Sequence, residues 1–252
     1  VVQPSDRVAL VTGAARGIGE AISTALAAEG YAVAIGDLDE TGAKTVAARL
    51  AEETGSRTLG VSLDIGETAS VREAVARVER ELGPVDVLVN NAGVDVIQPF
   101  VDSTEETWLR LVQINLLGTV RCTRAVLDGM RERGRGRIIS LGSDAGRVGS
   151  SGEVVYSATK GGVIAFSKAL AREVARDNIT VNCVCPGPTN TALLDQVAEA
   201  SQKLYDGLAR AVPMRRIGQP TDIAPAIVYL ASEGAGYVTG QTLSVSGGLT
   251  MA

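Results

Sequence analysis

Tyr156 and Lys160 stand four residues apart in the stretch Tyr156-Ser157-Ala158-Thr159-Lys160. In a helix, that spacing puts both side chains on one face, one turn apart. The flanking run from Val154 to Ala175 supports a helix. It is rich in Ala, Lys, Arg and Glu, with Val155, Val163, Phe166 and Leu170 near helical spacing. An ammonium beside a phenol stabilises phenolate, which predicts a Tyr156 pKa below the reference of about 10. Such a tyrosine can give and take a proton nearer neutral pH. An exposed pair on an ordinary helix has the same spacing, so the rest of the chain must decide.

A second cluster carries phosphate chemistry. Arg7 to Gly13 reads as a short buried strand ending in a turn, followed by Ala14-Ala15-Arg16-Gly17-Ile18-Gly19 and a helical run from Glu20 to Glu29. Strand, glycine turn and helix in that order open a dinucleotide-binding fold. The glycines let the backbone turn sharply and approach a pyrophosphate at the helix N-terminus. The spacing is G-x-x-x-G-x-G, not the general G-x-G-x-x-G. Tyr31 to Asp37 is the second strand, and Asp37 falls where a carboxylate can accept from adenosine ribose hydroxyls and repel a 2′-phosphate. A helix N-cap is the other reading of Asp37, but Asp39 and Thr41 are equally suited to that task.

Composition excludes other chemistries. The chain of 252 residues has no histidine, which removes Ser-His-Asp hydrolysis, His-based dehydrogenation and His-ligated metals together. Its three cysteines are Cys122, Cys183 and Cys185. An odd count without a secretory signal points to reduced thiols in a cytoplasmic protein, and Cys183-Val184-Cys185 alone is a poor zinc site, so no metal is expected. Pro4, Ser5 and Asp6 before the first apolar run argue against a signal peptide, and no apolar run reaches membrane-spanning length. A formal charge of -5 carries no nucleic-acid footprint. With 45% hydrophobic and 21% charged residues, a sizeable core is expected.

The elements that must position these residues follow in order. Helices are predicted over Thr41–Thr54, Glu67–Leu82, a long stretch Glu105–Arg131, a looser segment Ala192–Ala211, and Thr221–Ser232. Further strands are predicted at Thr58–Leu63, Val85–Val89, Ile138–Leu141, Ile179–Val184 and Gln241–Val245, with Gly134–Arg137 as a turn. Alternating strands and helices imply an α/β domain: a Rossmann-like, doubly wound parallel sheet of about seven strands with helices on both faces. No linker or repeat divides the chain, so residues 1–252 read as one domain, cofactor-binding over about 7–142 and catalytic and substrate-binding over about 143–252. Gly13, Asp37, Asp64 and Asn91 all fall at C-terminal strand ends, where such sheets bind ligands. Asn115 lies inside a predicted helix, where a buried Asn needs a reason.

Thr12-Gly13-x-x-x-Gly17-x-Gly19, Asp64, Asn90-Asn91-Ala92-Gly93, Asn115, Ser143, Tyr156-x-x-x-Lys160 and Pro186-Gly187-x-x-x-Thr191 together resemble the classical short-chain dehydrogenase/reductase family, over nearly the whole chain. The resemblance implies a catalytic set of Asn115, Ser143, Tyr156 and Lys160. Tyr156 would be the general acid/base. Lys160 would bind the nicotinamide ribose and lower the Tyr156 pKa, Ser143 would hydrogen-bond the substrate oxygen, and Asn115 would hold a water linking Lys160 to solvent. It also implies cofactor contacts from Gly13, Arg16, Gly17, Ile18, Gly19, Asp37, Leu38, Asp64, Ile65, Asn91, Ala92, Gly93, Tyr156, Lys160, Pro186, Gly187, Thr189 and Thr191. A substrate pocket is implied from Val94, Ser143, Asp144, Ala145, Gly187, Leu193 and Leu194. The cofactor carries the hydride and the protein manages the proton.

The leading expectation is an NAD-dependent secondary-alcohol dehydrogenase or carbonyl reductase. The alternative is a 3-oxoacyl-thioester reductase of the same fold. Such enzymes usually prefer NADP and carry a basic or neutral residue at the position of Asp37, and Arg16 is the one feature here favouring a 2′-phosphate. A non-catalytic nucleotide-binding relative would have lost Tyr156, Lys160 or Ser143, and all are present. The expected pocket walls are Val94–Phe100, Asp144–Glu153 and a flap over Pro188–Ala211, whose leucines and Tyr205 point to an apolar substrate, although ordinary helix packing gives the same pattern. Ser143 to Glu153 and Cys185 to Thr191 are similar to the corresponding loops of 2-hydroxycyclohexanecarboxyl-CoA dehydrogenases, which implies a cyclic alcohol carried as a CoA thioester. Family likeness further implies a homotetramer, with Glu105–Arg131 and Val154–Arg176 pairing across one two-fold axis and Gln241–Ala252 approaching a second.

Overall fold

The computed structural model describes residues 7–191, 194 and 202–251. Its strands are β1 (Val8–Thr12), β2 (Ala32–Asp37), β3 (Thr58–Ser62), β4 (Val85–Asn90), β5 (Gly136–Leu141), β6 (Ile179–Pro186) and β7 (Thr242–Val245). They form one seven-stranded sheet in the order β3-β2-β1-β4-β5-β6-β7, parallel throughout. The order reverses between β1 and β4, so their C-terminal ends flank the crevice that doubly wound sheets use for ligands.

Side chains alternate across each strand and feed two cores. Ala9 and Val11 of β1 join a cluster with Ile22 and Leu26 of α1 (Gly17–Ala28), Val46 and Leu50 of α2 (Glu40–Thr54) and Ile227 of the last helix. Val8 and Leu10 face the other way. They join Val75 of α3 (Thr68–Glu81), Val126 and Met130 near β5, and Leu170 and Val174 further along. Both faces are covered, as a parallel sheet of near-continuous apolar strands requires.

The predicted helix Glu105–Arg131 divides into three parts. α4 (Glu105–Leu111) passes through a π-helical stretch, Val112–Gly118, into α5 (Thr119–Arg133). Gly134, at φ 59°, caps α5. The turn expected over Gly134–Arg137 is shorter than its composition implied, because Arg137 already pairs with Val87 and Thr180 inside the sheet. Its guanidinium is carried by the Ser232 carbonyl and Glu233, at 3.5 Å each. After a single turn, α6 (Ala145–Val148), comes the 21-residue α7 (Val154–Val174), which contains Tyr156 and Lys160. α8 (Gln202–Ala211) and α9 (Pro220–Ala231) complete the fold. Of the predicted helical span Ala192–Ala211, residues 192, 193 and 195–201 lie outside the described residues. No helix among the described residues is long and apolar enough to cross a membrane.

Candidate active site

The glycine turn after β1 is fixed by atoms at the end of β4. A Cβ on Gly13, which sits at φ 62°, would stand 2.7 Å from the Ala92 Cα. A Cβ on Gly19 would stand 2.3 Å from the Gly13 carbonyl oxygen. Neither position has room for a side chain. Thr12, completely buried, accepts at Oγ1 from the N–H groups of both Asn91 and Ala92, each at 3.0 Å. The Asn91 amide donates to the carbonyls of Thr12 and Gly13, both at 2.8 Å. Asn91 thus braces the turn from below, a more structural task than the groove lining expected of it. Arg16 at the N-cap of α1 is exposed and makes no side-chain capping bond. The first amides of α1 therefore face outward without a side-chain cap, which suits an anion. Ile18 packs partly onto the core. Thr191 reaches this turn from the far side of the sheet, with Cγ2 3.7 Å from where a Gly17 Cβ would be. These features fit the pyrophosphate of a dinucleotide.

Asp37 ends β2 beside the same turn. Its Oδ2 accepts from the Ala15 N–H at 2.9 Å and its Oδ1 from the Asp39 N–H at 3.0 Å. The N-cap of α2 is Asp39, which accepts from Gly42, so Asp37 is not used for capping. Leu38 is exposed, free to cover a planar base, and Asp64 turns its carboxylate to the Gly66 N–H at 2.8 Å. The side chain of Ile65 faces the core. It is buried against Gly118, where a Cβ would come within 2.7 Å of its Cδ1.

Asn115 sits in the π-helical stretch, a geometry often found at functional sites. Its side chain clamps the strand-like loop after β4. Oδ1 accepts from the Val94 N–H and Nδ2 donates to the Val94 carbonyl, both at 2.8 Å. This clamp supplies the reason for a buried Asn in a helix, where the sequence had suggested a water. It also fixes Gly93, whose missing Cβ would stand 3.1 Å from Asn115 Oδ1 and 3.4 Å from Lys160 Nζ. Lys160 is buried, donates from Nζ to the Leu141 carbonyl at 2.8 Å, and lies 5.7 Å from the centre of the Tyr156 ring. Burial pulls the Lys160 ammonium below its ordinary value.

The Tyr156 phenol does not show the lowered pKa expected from its lysine neighbour. Burial of its hydroxyl pushes it well above 10, Asp95 and Glu153 push the same way, and a hydrogen bond with Ser143 opposes them. Desolvation is the largest influence on the phenol, while the Lys160 ammonium is directed to the Leu141 carbonyl. Ser143 Oγ also accepts from the Ala145 N–H at 3.1 Å, which orients it toward the tyrosine side of the loop.

A narrow cleft opens beside Tyr156, lined by Val96, Gln98, Phe100, Trp108, Leu111, Glu153 and Val155 among others. Phe100 and Trp108 stack with ring centres 5.5 Å apart, and the indole donates to Ser103 at 2.7 Å. The pocket calls divide. Val94 and Ser143 border the site. Asp144 does not, since it is buried and its carboxylate accepts from Ser244 on β7, which also receives a bond from Arg147 at 2.5 Å. Ala145 begins α6. Gly187 packs against Ser246, 2.7 Å from where its Cβ would be. Leu194 is packed with Ile217 and Tyr205 rather than facing the cleft, and Leu193 lies outside the described residues. Pro186 ends β6, and Thr189, buried, donates to the Gly187 carbonyl at 2.8 Å. Sequence reasoning passed over Thr12 as a brace and Trp108 as a neighbour of Tyr156, and placed Asp95 and Glu153 only within the pocket walls Val94–Phe100 and Asp144–Glu153. The single tryptophan of a chain with 3% aromatic residues was a legible signal. The pairing of Asp95 with Glu153 across 58 positions was not.

Fold, glycine turn and the meeting of Ser143, Tyr156 and Lys160 define a nicotinamide-dependent oxidoreductase of the doubly wound class. A family model described as enoyl-(acyl carrier protein) reductase matches residues 13–250. The chain is 42% identical over 242 residues to an acetoacetyl-CoA reductase of Shinella zoogloeoides, covering 96% of this chain and 98% of that one. It is 40% identical to the 3-oxoacyl-[acyl-carrier-protein] reductase FabG of Escherichia coli (strain K12), covering 97% and 98%. It is also 41% identical to nodulation protein G of Azospirillum brasilense, with the same coverage. The chain belongs to the classical short-chain dehydrogenase/reductase family.

Proposed function

We propose that this protein is a 3-oxoacyl-thioester reductase, interconverting a 3-oxoacyl thioester and its 3-hydroxy form with NAD(H). The observation that carries the reading is the end-to-end likeness to two acyl-thioester reductases over a site where Ser143 and Tyr156 meet. This puts the thioester reductase ahead of the secondary-alcohol dehydrogenase or carbonyl reductase that led the sequence reading. The two readings share chemistry, because in a 2-hydroxycyclohexanecarboxyl thioester the hydroxyl also lies β to the thioester carbonyl. A ring closing that unit is thus a second substrate form, favoured by the loop likeness at Ser143–Glu153.

The residues present would hold the cofactor as follows. The amides opening α1 take the pyrophosphate, Asp37 the adenosine ribose, Lys160 the nicotinamide ribose, and Thr189 and Thr191 the amide and phosphate end. The bound nicotinamide supplies the hydride. Ser143 and Tyr156 hold the ketone oxygen, whose charge grows as the carbonyl carbon is reduced, and donors fixed beforehand stabilise that charge. Tyr156 releases its phenolic proton to the oxygen, and the reverse transfer serves oxidation. Asn115, by clamping Val94, keeps Gly93 and Lys160 in register. NAD is favoured because Asp37 already occupies the Ala15 N–H, a donor that a 2′-phosphate would need.

The test is acetoacetyl-CoA reduction by the wild type and Tyr156→Phe. Activity should fall at least about 100-fold in the variant, with NADH binding little changed. Near-normal turnover by the variant overturns the assignment of the proton donor.

A further inference from the structure

Two loops are laced together beside Tyr156. The Gln98 N–H donates to the Gly152 carbonyl at 2.9 Å, and Gly152 adopts φ 82°, with its missing Cβ directed toward Ile97 at 3.5 Å. The lacing brings Asp95, at the base of one loop, to Glu153, at the end of the other. Asp95 Oδ1 accepts from the Val96 N–H at 2.7 Å. Its Oδ2 is buried and receives no bond from an N–H or hydroxyl among the described residues. The Glu153 carboxyl lies within hydrogen-bonding reach of the Asp95 carboxyl. Two carboxylates in contact repel, and a single proton between them turns the contact into a hydrogen bond. Burial first, and Glu153 second, push Asp95 up to about 7.

We infer that Asp95 and Glu153 hold one proton between them and act as a positioning pair for Tyr156, controlling how much negative charge stands beside its phenol. The inference rests on the reading of Tyr156 as proton donor. Neither carboxyl touches the reacting atoms, so both act through the tyrosine. The groups facing Tyr156 among the described residues are Asp95, Glu153, Ser143 and Cys185, with the Lys160 ammonium over its ring at 5.7 Å, and those facing Asp95 are Glu153 and Lys160. Lys160 opposes the pair by favouring the Asp95 carboxylate. Cys185 adds to the charge only if ionised, and its thiol is pushed far up by Cys183 and burial.

The sign follows. Below its ionisation the pair carries one negative charge, and above it two. The added charge disfavours phenolate, so as pH rises through neutrality the pair keeps Tyr156 protonated and ready to donate in carbonyl reduction. Alcohol oxidation, which needs phenolate, is deferred to higher pH.

The experiment is an NMR titration of cofactor-free protein labelled at the tyrosine ring carbon bearing oxygen, with the Tyr156 signal assigned by Tyr156→Phe. Wild type should show a small step near neutral pH and its main ionisation above about 10. In Asp95→Asn the small step should vanish and the main ionisation should move down. In Glu153→Gln the small step should move to lower pH, because Asp95 has lost the partner that raised it. Thermal unfolding establishes that each variant is folded, and Glu153→Gln keeps the test open if Asp95→Asn does not fold. A Tyr156 titration unchanged in whichever variant folds overturns the inference. Because no substrate is present, this result stands apart from the thioester reading. If acetoacetyl-CoA is not reduced but the titration behaves as described, the substrate assignment alone has failed. With any ketone the enzyme does reduce, the neutral inflection in the kcat/KM profile should likewise disappear in Asp95→Asn.

Discussion

Asp37 and Ala15 are joined across the ends of the first two strands, the Ala15 N–H donating to Asp37 Oδ2 at 2.9 Å. The bond sets the carboxylate at the mouth of the glycine turn and leaves its remaining lone pairs for ribose hydroxyls. Charge-assisted hydrogen bonds of that kind contribute about 1.5–3 kcal/mol. A 2′-phosphate would lose them and meet a like charge, so NAD should be preferred over NADP by on the order of 100-fold in kcat/KM. Exposed Arg16 offsets only part of this, being screened by solvent. Asp37→Ala should weaken NAD and narrow the gap, and Asp37→Arg should narrow it further. Steady-state kinetics with both cofactors at matched ionic strength check this, and a wild-type preference for NADP would mean that Arg16 outweighs Asp37.

Thr12 should matter to stability and cofactor affinity together. Thr12→Val keeps the shape but leaves the Ala92 N–H without its acceptor and the Asn91 N–H with only the Val89 carbonyl at 3.1 Å. Unpaired buried donors cost about 1–3 kcal/mol each. Thermal unfolding should fall by several degrees, and NADH should bind more weakly because the glycine turn loses its brace. An unchanged melting temperature would show that the two amides find other partners.

The pH dependence of carbonyl reduction follows from the raised phenol. Reduction needs Tyr156 protonated, and burial holds that proton beyond the ordinary tyrosine range. The alkaline limb of kcat/KM for reduction should therefore lie above about pH 10, the reference for tyrosine. A half-loss at or below about pH 9 would show that Lys160 dominates after all, as the sequence alone had suggested.

Much of the fold was legible in the sequence because period and turn chemistry agreed. Apolar runs such as Val8–Thr12 and Val85–Asn90 admit few readings besides buried parallel strands. What escaped notice depends on partners distant in sequence. Arg137 looked like a turn residue because Glu233 and Ser232, which help carry its charge, are distant in sequence. Asp144 looked like pocket wall because Ser244, which donates to its carboxylate, is 100 positions away. The π-helical stretch around Asn115 has no periodic signature short enough to read. Tyr156 and Lys160 were legible by spacing, and Asn115 and Ser143 through the family resemblance, but the balance between burial and charge at Tyr156 depends on Asp95 and Glu153, which neither reveals.

Assembly is open to a direct check. Phe100, Val101 and Leu109 near α4, and Tyr237, Leu243 and Met251 near β7, leave apolar surface exposed in two regions. We propose a homotetramer built on these two regions. Light scattering at micromolar concentration should give about four times the 26.0 kDa chain mass, and a monomer would reject it.

The central claim is that the substrate is a thioester with its ketone in the β position. Its most direct test is kcat/KM for reduction of acetoacetyl-CoA against cyclohexanone, measured with NADH in the same preparation. Binding of the thioester portion, remote from the reacting carbon, should be expressed in the transition state and favour acetoacetyl-CoA by on the order of 100-fold or more. Equal or better turnover of cyclohexanone would contradict the thioester assignment and restore the simple cyclic alcohol as the substrate.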